Sequence, residues 1–303
     1  MTAKVILNPY SGRWNARKRW PAAAAALQQA GVAYDLAITE RPGQATELAA
    51  QAVRDGFAPI IVASGDGTVG EVANGLAQAV GSIDIPLPTI GILPLGTAND
   101  IADTIGLPRD LRAAAQAIAA GRTRLMDLGQ ANDRVFVNNA AIGLDPYVGM
   151  IQQRMRFFHG SLRYLLAALR GIADCPRWTM HLEWEGGQFS GPLTLVAIGN
   201  GPRSGGIFYT APHADPFDGL LTFVFGYRPS RWQLLRTLPR TLRPGAGNYV
   251  ELNGITEIHT TWLRVRPEQP APAHTDGEIM GAAAETLEYR ILPARLPVLV
   301  GSS

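Results

Sequence analysis

Between residues 4 and 124, short apolar runs alternate with segments of helical period, and each run ends in a polar loop. Val5-Ile6-Leu7 reads as a strand that stops at Asn8-Pro9. A helix follows over about 15–30, with Pro21 expected near a turn boundary. Residues 32–39 alternate as a strand and 45–54 repeat as a helix. Ile60-Ile61-Val62 is a short buried strand, followed by a helix over about 69–79. Ile90-Gly91-Ile92-Leu93 is another, turning through Gly96 and Asn99 into a helix, and a last helix spans about 110–120 and stops at Gly121. Parallel strands cannot be joined by a tight turn and need a crossover, which the helices supply. The alternation therefore predicts a parallel sheet with helices on both faces. An open sheet of this kind binds ligands at the carboxyl ends of its strands.

Beyond residue 125 the pattern changes. Strand-like runs fall at 134–142, 178–184, 193–199, 220–227, 255–259, 262–266 and 286–292, separated by turn signals such as Glu185-Gly186-Gly187. Helical patterns interrupt near 150–173 and 230–242. This predicts a second, mostly antiparallel β domain, a sandwich. With ~100–200 residues per domain, a chain of 303 residues suits two domains. The expected boundaries are 1–124 for the α/β domain and 125–293 for the sandwich.

The loops carry the chemistry. The first strand ends in Asn8-Pro9-Tyr10-Ser11-Gly12-Arg13, where backbone N–H groups, a hydroxyl and a guanidinium face the helix start. Such a junction suits an anion. The second is Ser64-Gly65-Asp66-Gly67-Thr68, followed by Val69, Gly70, Glu71 and Asn74. Its glycines let the backbone approach a phosphate, while Asp66 would repel one unless it holds Mg²⁺ or takes a proton. The third, Pro94-Leu95-Gly96-Thr97-Ala98-Asn99-Asp100, again combines glycine, hydroxyl and acid. Each alone is an ordinary βα turn, but three at one sheet edge form a set. Near the C-terminus, Thr275-Asp276-Gly277-Glu278 brackets a glycine turn with two carboxylates, groups able to accept an alcohol proton.

These motifs, taken in order along nearly the whole chain, resemble the diacylglycerol kinase/sphingosine kinase family of soluble lipid kinases, in its bacterial diacylglycerol-kinase-like branch. Asp127-Leu128-Gly129, Phe136-x-Asn138-x-Ala140-x-Ile142-Gly143 and Pro216-Phe217-Asp218-Gly219-Leu220 match its pattern too. The resemblance implies a nucleotide-binding α/β domain beside a β-sandwich, with the active site in the cleft between them and the tail 294–303 returning to the first domain. It places ATP contacts on Asn8, Pro9, Tyr10, Ser11, Gly12, Thr39, Ser64, Gly65, Asp66, Gly67, Thr68, Val69, Gly70, Glu71 and Thr97. A structural Mg²⁺ site falls on Asp218, with backbone oxygens of Asp215 and Leu220. Glu278 matches the proton acceptor, with Asp66 its rival. Asp66, Asp100, Asp127 and Asp276 match acids of a metal–water network. Ser64 departs from the glycine usual in bacterial members, which loosens the choice of substrate. The implied reaction transfers the γ-phosphate of ATP to a lipid hydroxyl, with diacylglycerol first. Phosphatidylglycerol, a sphingoid base and an isoprenoid alcohol stay open. So do an NAD-kinase-like enzyme and an idle nucleotide- or lipid-binding module.

Composition narrows the field further. Lys4 and Lys18 are the only lysines, neither follows a glycine, and so no Walker-type phosphate loop exists. Cys175 is the only cysteine, which excludes an internal disulfide and a multi-cysteine zinc site. The histidines at 159, 181, 213, 259 and 274 show no ligand spacing, and His274 reads as a turn residue. Aromatic residues are scattered without a basic platform, which argues against nucleic acid. Nothing at the N-terminus reads as a signal peptide, and the longest charge-free stretch, between Glu185 and Arg203, is broken by glycine and proline. The expected location is cytoplasmic. The net charge of +2 hides a division. Arg154, Arg156, Arg163, Arg170 and Arg177 face only Asp174 within 146–182, and Arg228, Arg231, Arg236, Arg240 and Arg243 face no acid within 226–250. Leu162, Leu165, Leu166, Leu169 and Ile172 form a helical stripe, as do Trp232, Leu235 and Leu238. Transient docking on an anionic membrane and plain packing on the sandwich both fit these stripes. Monomer and homodimer are equally compatible with the sequence.

Overall fold

The computed structural model describes residues 2–81, 85–155, 160–280 and 285–301. Arg156 and His159 lie outside the described residues, as does the side chain of Arg13. The chain divides into two compact units, Met1–Leu128 with Leu292–Ser303, and Gly129–Ile291.

In the first unit the order is β1 (Ala3–Leu7), α1 (Ser11–Gln29), β2 (Tyr34–Ile38), α2 (Gln44–Arg54), β3 (Ile60–Ser64), α3 (Asp66–Val80), β4 (Ile90–Pro94), α4 (Asp100–Thr104) and α5 (Leu111–Ala120). The strands lie parallel in the order β2-β1-β3-β4. Alternation sends Val5, Leu7, Ile61, Ala63 and Leu93 into one core with α1 and α5. Ile6, Ile60, Val62 and Ile92, also buried, point the other way. Helix α2 packs on α3. Pro21, expected at a boundary, lies inside α1. It is exposed, and having no N–H it cannot make the α-helical hydrogen bond to the Arg17 carbonyl. That helix starts early, at Ser11, with Gly12 and Trp14 at positive φ in its first turn.

The second unit holds β6 (Arg134–Phe136), β7 (Asn139–Gly143), α6 (Leu144–Arg154), α7 (Gly160–Asp174), β8 (Trp178–Trp184), β9 (Gly187–Leu193), β10 (Leu195–Gly199), β11 (Leu221–Gly226), α8 (Arg231–Thr237), β12 (Ile255–Thr260), β13 (Trp262–Pro267), β14 (Ala273–Thr275) and β15 (Glu278–Ile279). Two strands belong to both units by sequence. They are β5 (Thr123–Ala131) and the 13-residue β16 (Leu287–Leu299). One sheet of the second unit runs β16-β13-β8-β9 with β5 and β6 alongside, and the other runs β12-β11-β10-β7-β14-β15. Their neighbours pair antiparallel. Phe136, Ile142, Met180, Val196, Phe223 and Tyr289 fill the core between them. This is the expected pair, a parallel α/β unit and a β-sandwich.

Several boundaries moved for physical reasons. The helix expected over 150–173 is two, because Met155 is extended (ψ 117°) and ends α6. The segment 230–242 begins as α8 and tightens into a 3-10 turn, Leu238–Leu242, where Pro239 cannot donate an α-helical hydrogen bond. Strand β9, Gly187–Leu193, falls between the expected runs 178–184 and 193–199, where glycines and Pro192 interrupt the apolar pattern. It lies at the edge of its sheet, where proline is tolerated.

Candidate active site

Strands β1, β3 and β4 are neighbours, so the three loops leave one carboxyl edge of the sheet side by side. They are locked to one another. Asn8 Nδ2 donates to Thr68 Oγ1 (3.0 Å), and Ser64 Oγ donates to the same oxygen (2.8 Å). The unusual Ser64 is thus fully buried and orients Thr68. Leu95 and Gly96 donate backbone N–H groups to the Ser64 carbonyl (3.0 and 3.1 Å). A Cβ on Gly65 would sit 3.0 Å from Gly96 Cα and 3.2 Å from Ser11 Oγ, tighter than ordinary van der Waals contact, so glycine lets the two loops approach closely. Asp66 Oδ1 accepts the Ile101 N–H at the start of α4 (2.9 Å). Burial pushes the Asp66 carboxyl above the usual range, and backbone N–H groups from Ile101 and its neighbours counter that only partly.

The other predicted nucleotide positions divide by exposure. Pro9 is buried, Tyr10 and Thr97 are exposed, and Ser11, Gly12 and Gly67 are partly so. Thr39 is buried after β2 and donates its N–H to Leu7 O (2.9 Å). Val69 and Gly70 are buried in α3. Glu71 Oε2 accepts the Ala45 N–H (3.2 Å) and caps α2, which has glycine at its N-cap. Two neighbours were missed by sequence reasoning. Trp14 stacks edge-on with Tyr10 (4.5 Å between rings), both of them exposed. Arg109 binds the Ala98 carbonyl (2.9 Å) and Asp103 (2.7 Å) beside the third loop. Asp127 is buried, and its Oδ1 accepts the Ala294 N–H (2.6 Å), tying the returning tail to β5.

In the second unit, Asp276 is held by the backbone. Its carboxylate accepts N–H groups from Val137 (2.8 Å), Asn138 (2.9 Å) and Asn139 (3.1 Å). Asp276 itself lies in the left-handed region (φ 47°), tolerable for aspartate, and Gly277 follows at φ 82°. The resulting turn presents Glu278, which is partly exposed and ion-paired with Arg134. Arg134 has no signal in the sequence, since 144 positions separate it from its partner.

His274, read as a plain turn residue, is buried and central. Its Nε2 lies 3.1 Å from Asp145 Oδ2, and its Nδ1 accepts the Gly277 N–H (3.4 Å). Tyr164 also donates to Asp145. Burial pushes the Asp145 carboxyl up, but the His274 and Tyr164 hydrogen bonds outweigh it and hold it below the usual carboxylate range. Asp145 and Tyr164 stand at the wall of a cavity of about 100 Å³. The rest of that wall is mostly apolar, including Val148, Ala168, Ile172, Leu234 and Phe208. A hydrogen-bond chain therefore leads from an apolar cavity, through Asp145 and His274, to the turn that carries Glu278.

The predicted metal loop forms as a unit. Asp215 Oδ1 accepts the Phe217 N–H (3.1 Å), Asp218 Oδ1 the Leu220 N–H (2.9 Å), and Asp215 O the Asp218 N–H (3.4 Å). Asp215 and Asp218 are exposed. An all-oxygen donor set on a short turn fits a hard cation such as Mg²⁺. Among the described residues, no three His, Cys, Asp or Glu side chains cluster as a metal cage, and no helix is long and apolar enough to cross a membrane.

Comparison with known proteins agrees with this architecture. Residues 2–131 match the diacylglycerol kinase catalytic domain, and residues 138–300 match the YegS C-terminal NAD kinase beta sandwich-like domain. A diacylglycerol kinase of Mycobacterium tuberculosis (strain ATCC 25618 / H37Rv) is 35% identical over 303 aligned positions, covering 97% of this chain and 93% of that protein. One from Bacillus subtilis (strain 168) is 29% identical and covers 92% and 90%. A crystal structure of a diacylglycerol kinase from Bacillus anthracis str. Sterne superposes with a TM-score of 0.71 at 23% identity, over 99% of this chain and 97% of that one, and so shares the fold. The chain belongs to the diacylglycerol kinase family, lipid kinases that are phosphotransferases with an alcohol acceptor.

Proposed function

We propose that this protein transfers the γ-phosphate of ATP to the free hydroxyl of diacylglycerol. The observation that carries this reading is the interlocked set of glycine loops at one edge of the parallel sheet. Backbone N–H groups and small side chains there can take the phosphates that a lysine takes elsewhere. Thr68 Oγ1 already accepts from Asn8 and Ser64, so its own proton is left to donate outward. Asp66 would hold Mg²⁺, which when bound supplies charge neutralisation for the transferring phosphoryl group, while Asp218, on its separate loop, would hold a structural Mg²⁺.

The acceptor is activated by Glu278. Its carboxylate takes the proton of the lipid hydroxyl as that oxygen bonds to the γ-phosphorus and the bond to the ADP oxygen breaks. Arg134 fixes the position of the carboxylate, and the backbone clamp on Asp276 fixes the turn. The apolar cavity supports a substrate with hydrocarbon chains over a soluble nucleotide such as NAD. Turnover of labelled ATP over a panel of lipids tests the substrate. Glu278→Gln and Asp66→Asn are each expected to lower kcat by roughly 10²–10⁴-fold. Near wild-type turnover in both would end the mechanism.

A further inference from the structure

One short segment of the second unit forms the cavity wall on one side and faces solvent on the other. In α8 and the 3-10 turn after it, Leu234, Thr237, Leu238 and Thr241 line the apolar cavity. The opposite side is solvent-exposed and apolar. Trp232 is 74% exposed, and Leu235 and Leu242 are also exposed. Trp232 and Leu235, three apart, share one helix face. Arg231, Arg236 and Arg243 in the same segment are exposed, and no acid occurs between residues 226 and 250. Helix α7, whose Tyr164, Ala168 and Ile172 continue the cavity wall, adds exposed Leu162 and Leu169.

An exposed tryptophan in a segment that also carries exposed arginines and no acid matches one surface well. At a bilayer interface the indole takes the headgroup layer, aliphatic side chains reach the acyl boundary, and arginines pair with anionic lipid. The rest of the chain, outside the two arginine-rich segments, is acidic in balance, so the cationic charge is concentrated rather than general. We propose that the Trp232–Leu242 face seats on an anionic lipid bilayer, and that this segment, as the wall of the cavity, is the door through which a lipid leaves the bilayer and enters. This rests on the lipid kinase reading above and adds the route of its substrate.

The test separates binding from turnover. The full chain is sedimented with phosphatidylcholine vesicles, with and without phosphatidylglycerol. The wild type is expected to partition to the anionic vesicles and hardly to the neutral ones. Arg236→Gln with Arg243→Gln should weaken that partition by about 25-fold, roughly five-fold per arginine. Trp232→Ala with Leu242→Ala should weaken it on a comparable scale. Activity on diacylglycerol embedded in anionic vesicles should fall in step with binding, while activity on a monomeric short-chain diacylglycerol in solution stays at wild-type level. Equal wild-type binding to both vesicles, or unchanged binding in both variants, overturns the proposal. So does an equal fall on the monomeric substrate, which would place these residues in folding or chemistry. Concentration-dependent self-association lost with Trp232→Ala would instead make the face a contact between two copies. Should the wild type bind anionic vesicles in this way yet phosphorylate no lipid, the surface stands and the kinase reading fails.

Discussion

Asp145 shows how much a single side chain can organise. Its side chain is 17% exposed, yet it holds His274 and Tyr164 from elements more than a hundred positions apart in the first case. Because its folded-state acidity is increased, the bonds it makes stabilise the protein at neutral pH, and that contribution disappears as pH falls through the lowered value. Asp145→Asn is expected to cost about 1–3 kcal/mol at neutral pH in chemical denaturation. The gap from wild type should narrow in acid, and a gap that widens there would contradict the assignment. The sequence marked Asp276 and Glu278 because a glycine turn between two acids is locally visible. It could not mark Arg134, His274 or Asp145 in their roles, since each depends on a partner distant in sequence: β14 pairs with β7, which leads into the helix of Asp145, and Arg134 and Glu278 meet from strands of different sheets.

At the level of elements, the three βα loops were legible because glycine, hydroxyl and acid fall next to the strand that positions them. Their mutual contact was not. Gly96 illustrates this: a Cβ there would meet Gly65 and lie 2.8 Å from Asn99 Oδ1. Gly96→Ala is therefore expected to destabilise the first unit by about 1–3 kcal/mol, as overpacking does. It should also raise KM for ATP more than KM for the lipid, and steady-state kinetics with each substrate varied in turn would show it. Glu71 carries the opposite lesson. Its place in the loop motif suggests nucleotide contact, and the sequence gives no sign that its carboxylate also caps α2, a helix whose glycine N-cap offers no side-chain acceptor. Elements that depend on edges and breaks were harder to read. Strand β9 carries proline safely only because it ends a sheet, and the break between α6 and α7 has no glycine or proline at Met155 to announce it.

For the molecule as a whole, β16 is decisive. Its first residues pair with β13 in the sandwich, as Leu287 does with Val265. Its last residues join the parallel sheet, with Val298 beside Ile90, and bury Leu296, Val298 and Leu299. A fragment of residues 1–128 therefore lacks a strand of its own sheet. It is expected to show no cooperative melting transition by circular dichroism, whereas the full chain melts cooperatively. A sharp transition in the fragment would show that the tail is dispensable. The sequence by itself determined the two architectures, the order of the loops and the identities of the acids, because hydrophobic period and glycine placement act over a few residues. Tertiary structure alone decided which acids are clamped by backbone, which histidine bridges a cavity to the Glu278 turn, and which face of α8 meets solvent. Those outcomes depend on contacts between positions far apart in the chain, and no local pattern encodes them.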